Sequence, residues 1–170
     1  MQYPFSQQSG MSLIEVMVYL FLLTIVSTAA VGLMLSMSSL YTQYTAKQQL
    51  FTVGTVVMER LLTDIREAQN LNSAQSILAS STAATLSLNM GTTTAQYVWN
   101  GSDIQVSRTG TATSTLNGGG VRVTSIVFYS ITADGKQFVR VNAQLSVTVG
   151  SYTETRTFSG GAIIRGTYEI

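Results

Sequence analysis

Gly10-Met11-Ser12-Leu13-Ile14-Glu15-Val16 places a single carboxylate at the mouth of a long apolar segment, just behind a small residue. From Val16 to Ala46 no side chain is charged. Within that span, Val16-Met17-Val18-Tyr19-Leu20-Phe21-Leu22-Leu23-Thr24-Ile25-Val26, continued by Val31-Gly32-Leu33-Met34-Leu35, is long enough to cross a bilayer, which takes roughly 20 mainly apolar residues. Glu15 therefore stands at or just inside a membrane boundary. An ionised carboxylate costs about 2.5–3.5 kcal/mol at the bilayer centre and less near the interface, so this one calls for a partner.

Two local readings compete for the same residues. Ser12-Leu13-Ile14-Glu15 fits a helix capping box, in which Ser12 accepts from the Glu15 backbone N–H and the Glu15 side chain returns to that of Ser12. That pattern explains Glu15 without a partner, but gives no reason for Gly10 to precede it. The second is a secretory leader cut near Thr28-Ala29-Ala30. Residues 1–14 hold neither Lys nor Arg, whereas such a leader needs a basic start, and the apolar run continues past the supposed cut.

A short polar stretch ending at Gly10, then Met11, then Ser12-Leu13-Ile14-Glu15-Val16 and an apolar helix, resembles the class III signal of type IV pilins and pseudopilins. The usual form there is Gly followed by Phe-Thr-Leu-Ile-Glu. The resemblance implies cleavage after Gly10 by a prepilin peptidase on the cytoplasmic side and N-methylation of Met11. It also implies that Glu15 meets the new α-amine of a neighbouring subunit during filament assembly. The physics suits the role: an α-amine with a reference pKa of about 7.7–8.0 is mostly cationic at neutral pH, and a paired charge in lipid is far cheaper than a lone one. One departure stands out. Prepilin leaders commonly carry Lys or Arg, and residues 1–10 carry neither, so positive-inside orientation is weakly encoded.

A chain of 170 residues, less a leader at 1–10 and a membrane segment at 11–38, leaves material for one small domain. The net charge of +1 and a charged fraction of only 10% give no basic footprint for nucleic acid. Arg108, Arg122, Arg140, Arg156 and Arg165 are scattered among acids and read as a solvated sheet face, so no direct nucleic-acid binding is expected. Cysteine is absent, so the domain must be held by its sheet and by packing on a helix. Within the resemblance, having no C-terminal disulfide loop points to a minor pilin or pseudopilin, or to a lineage that does not use such loops. The only proline is Pro4, and Gly32 stands where many major pilins kink the helix with proline.

Helical periodicity continues beyond the membrane segment. Leu50, Val53, Val57, Leu61, Ile65 and Ala68 recur at three- and four-residue spacing, forming one apolar stripe that needs a cover. Arg60 and Asp64 are placed to pair at i,i+4, worth about 0.2–0.5 kcal/mol. Asn70-Leu71-Asn72-Ser73 reads as the stop, giving one helix from about Ser12 to about Asn70, with residues 39–72 as its amphipathic half. Tyr41 and Tyr44 fit either the headgroup level or a packing groove.

The period then changes to two over residues 73–170. Val139, Val141, Ala143, Leu145, Val147 and Val149 alternate with polar residues as a half-buried strand. Residues 121–129 precede it through an Asp134-Gly135 turn, and residues 94–99 and 102–107 are joined at Asn100-Gly101. Residues 85–88 and 152–158 complete an antiparallel meander, while 73–83 and 109–120 read as flexible loops. The predicted class is α+β, with an antiparallel sheet packed on the second half of a long N-terminal helix.

Without His or Cys the chain lacks the commonest general base, the thiol nucleophile and most transition-metal ligands. Lys47 and Lys136 are poorly placed as buried bases, and Asp103, Asp134, Glu154 and Glu169 form no close pair, which also leaves a calcium loop unsupported. The expectation is a non-catalytic protein without cofactor or metal. The resemblance implies a minor subunit of a type IV pilus, competence pseudopilus or type II secretion pseudopilus. Its partners would be other pilin or pseudopilin subunits, the prepilin peptidase, the inner-membrane assembly platform and the membrane. It would sit as a single-pass inner or cytoplasmic membrane protein, its C-terminal domain outside the cytoplasm, before entering the filament. A major pilin and a non-polymerising anchored binding protein are the alternatives.

Overall fold

The computed structural model describes residues 12–81 and 83–167. One helix, α1 (Leu13–Glu67, 55 residues), opens the chain; the Ser12 carbonyl accepts its first bond from Val16 N–H at 3.2 Å. The chain divides between Tyr41 and Thr42 into two compact units. In the first, the apolar side chains from Leu13 to Leu40 are exposed. In the second, α1 buries Leu50, Val57, Leu61 and Ile65 of the stripe read from the sequence, with Val53 half-buried, together with Ala46, Gly54, Met58 and Asp64.

Two antiparallel sheets cover that stripe. The first has the order β1 (Asn70–Leu71), β2 (Thr85–Met90), β3 (Thr93–Trp99), β4 (Ile104–Arg108), β5 (Ser114–Thr115); the second is β6 (Val121–Ala133), β7 (Lys136–Val149), β8 (Tyr152–Ile163). A short 3₁₀ turn, Arg165–Thr167, follows. The α+β class is therefore as expected, with a meander divided into two sheets instead of one. The division falls at Gly118-Gly119-Gly120, where Gly119 and Gly120 take positive φ, a region other residues reach at a cost. Asn117 holds the corner. Its amide donates to the Val121 carbonyl and to Asp103, and its oxygen accepts from Ile104 N–H, all within 2.8 Å. Residues 109–120 are thus not simply a flexible connection: they contain β5 and a buried asparagine.

Of the boundaries that differ from expectation, three have a clear local cause. The helix closes at Glu67, short of Asn70, because Asn70 and Leu71 pair with Asn89 and Leu88 of β2 and Gln69 N–H already donates to the Asn89 carbonyl. Residues 68–72 are therefore not helix. β4 starts at Ile104, since the Asn100 side chain accepts from Ser102 and Asp103 N–H and extends the expected two-residue turn into a four-residue loop. β8 runs on to Ile163 through Gly160-Gly161, where the Phe138 ring fills the space a Cβ at Gly161 would need.

Candidate processing and assembly site

Glu15 lies in the first turn of α1, where the exposed amide dipoles favour an anion. It is exposed, and among the described residues its hydrogen-bond partner is the Tyr19 hydroxyl, one turn on, which donates at 3.4 Å. Gly10 and Met11 lie outside the described residues. Beyond Glu15 the helix is long and apolar enough to cross a membrane, and none of its most apolar stretch is buried in the protein. Several of its hydroxyls bond back to helix carbonyls. Thr24 donates to the Phe21 carbonyl at 2.7 Å, Thr28 to the Thr24 and Ile25 carbonyls, and Ser36 to the Gly32 carbonyl at 2.9 Å. In lipid each unpaired hydroxyl would be costly, so these back-bonds let the surface remain apolar in effect.

The second unit holds a charged group whose burial sequence patterning missed. Asp64, placed by spacing to pair with Arg60, is only 3% exposed. Arg60 Nε stands 4.0 Å from it, whereas Arg108 Nη2 from β4 reaches both carboxylate oxygens at 2.6 and 2.8 Å, and the buried Tyr97 hydroxyl of β3 donates to Oδ2. Arg108 therefore does not belong to a solvated row; it ties the sheet to the helix. Arg156 is also engaged, its guanidinium 5.6 Å from the centre of the Phe51 ring. Asp64 falls in phase with Val57 and Leu61, and that was the available signal: an acid inside an apolar stripe needs a buried cation.

Burial first, then the donated bond to Asp64, raises the Tyr97 phenol well above the ordinary tyrosine range. The unfolded chain releases this proton near pH 10, while the folded chain retains it. The stabilisation is complete below pH 10 and is lost as pH rises above it, by up to about 1.4 kcal/mol per pH unit. Tyr97→Phe is expected to remove that part of the alkaline slope in urea unfolding measured between pH 9 and 11; an unchanged slope would assign it to the other tyrosines.

Residues 5–31 match the family model described as the prokaryotic N-terminal methylation motif. No curated protein and no solved structure matches the chain significantly. The match supports a type IV pilin-like protein, a class that is structural in character, and it implies prepilin peptidase processing and assembly with other pilin subunits. With the exposed apolar helix, it fits a membrane-anchored protein.

Proposed function

We propose that this protein is a minor structural subunit of a type IV filament machine, whether a pilus, a competence pseudopilus or a type II secretion pseudopilus. The observation that carries the reading is the coincidence of the methylation motif with a fully exposed apolar half-helix headed by a lone carboxylate. In this reading the subunit waits in the inner or cytoplasmic membrane, loses residues 1–10 after Gly10, and gains a methyl group on Met11. Extraction by the assembly platform then buries the apolar half-helix among neighbouring subunits, where Glu15 neutralises an adjacent N-terminus. The absence of cysteine favours a minor over a major subunit.

The test is the intact mass of the protein from membranes with and without an active prepilin peptidase. The expected result is a peptidase-dependent loss of residues 1–10 with one added methyl. An unprocessed chain, or a cut near Ala30, would replace the proposal with an anchored or secreted protein. Abundance in sheared filaments separates minor from major.

A further inference from the structure

The solvent side of an antiparallel sheet is normally polar, and most of the outer face of the second sheet obeys this rule. Arg122, Ser146 and Thr155 form one cross-strand row, and Ser125, Gln144 and Thr157 another. Towards the β6–β7 turn the pattern inverts. Ile131, Phe138 and Ile163 stand in register across three strands, with Tyr129 in the adjacent row. Ile131 is 56% exposed, and Tyr129 and Ile163 are also exposed. Gly161 leaves room for the Phe138 ring to lie over β8. Phe138 and Ile163 of this row, with Gly161 and Ala162, line an open groove of about 500 Å³ that Arg66 and Arg165 also line. Arg140 stands beside it, between Tyr129 and Gly161. Among the described residues none of these three arginines has a carboxylate within ion-pairing distance.

We propose that this face docks a different protein, one presenting apolar side chains edged by carboxylates. Aromatic residues and arginine are the residue types enriched at interface centres, and the guanidinium fork matches a carboxylate in two bonds. An exposed apolar patch with a polar rim marks a contact site. A patch of a few side chains with Arg140 in its midst offers a bilayer little apolar area, whereas interfacial elements sink about 5–10 Å. A second copy of this chain is a poor complement. Asp103 is held by Ser102 and Asn117, Glu154 by Tyr152, and Asp64 is buried; the other described acids of this unit are Glu59 and Glu67 on α1 and Asp134 beside the patch itself.

The test places a photo-crosslinking amino acid at Ile131 or Ile163 of the full chain in intact cells, with Gln144 as the control position, and maps the adducts by mass spectrometry. The expected adduct joins residues 131 and 163, but not 144, to one protein segment with apolar residues and at least two carboxylates. Arg140→Glu with Arg165→Glu, both at exposed positions, is expected to cut its yield by about tenfold or more while peptidase-dependent processing is unchanged. An adduct to a second copy, to lipid, to a segment without carboxylates, or none at all overturns the proposal, as does a yield indifferent to the charge reversals.

Discussion

Glu15→Ala is expected to leave processing after Gly10 and membrane insertion intact while lowering recovery of the subunit in sheared filaments by about thirtyfold or more. If Glu15 pairs with a neighbouring α-amine as proposed, the magnitude follows from truncating one partner of a desolvated charge pair, which costs about 2–5 kcal/mol where about 1.4 kcal/mol is tenfold. Most of that cost belongs to the group left behind, an α-ammonium in an apolar bundle with no counter-charge. The informative companion is Glu15→Gln. A capping box accepts Gln as readily as Glu, so a helix-capping role predicts normal incorporation of this variant, whereas charge neutralisation predicts that it fails nearly as badly as alanine. Tyr19→Phe should be close to neutral, because the 3.4 Å bond from Tyr19 is long and lies within one helix turn. Filaments containing Glu15→Gln at the native level would remove the pairing role and leave capping in its place.

Periodicity made the larger elements legible and left the polar contacts between them hidden. The stripe from Leu50 to Ile65 and the alternation from Val139 to Val147 are both buried as the pattern required, because a helix face and a sheet face have no other way to leave water. The Asp134-Gly135 turn was readable for a local reason: both residues take positive φ, and this pair tolerates it. Asn117 was not readable. Its burial depends on Asp103, Ile104 and Val121 meeting at one corner, and a Thr- and Gly-rich stretch carries no sign of that meeting. The same limit applied to the division into two sheets, which rests on contacts between chain segments far apart in sequence: Val123 N–H donates to the Ser102 carbonyl at 2.7 Å, and the Trp99 indole to that of Val123 at 3.0 Å. Of the candidate site, the exposed carboxylate and the apolar helix were visible from the start, since both are properties of consecutive residues.

Arg108→Ala is expected to cost more stability than Asp64→Ala, and the order follows from which partner is buried. Asp64 is 3% exposed, so removing Arg108 strands a carboxylate in the interior with Tyr97 and a distant Arg60; breaking a buried pair in this way costs about 3–5 kcal/mol. Removing Asp64 instead leaves an arginine whose side chain is 37% exposed and can turn to water, so the loss reduces to the unpaired Tyr97 hydroxyl and a small cavity, about 2–3 kcal/mol. Urea unfolding of the full chain in detergent, followed through Trp99, reads both. Asp64→Leu combined with Arg108→Met and Tyr97→Phe should come close to wild type, because a well-packed apolar set recovers what a buried ion pair spends on desolvation. If that triple variant is as stable as the native chain, the charged trio sets how sheet and helix are aligned more than how tightly they hold. If Arg108→Ala costs under about 1 kcal/mol, the value of a solvent-screened surface pair, water reaches Asp64 and the burial argument fails.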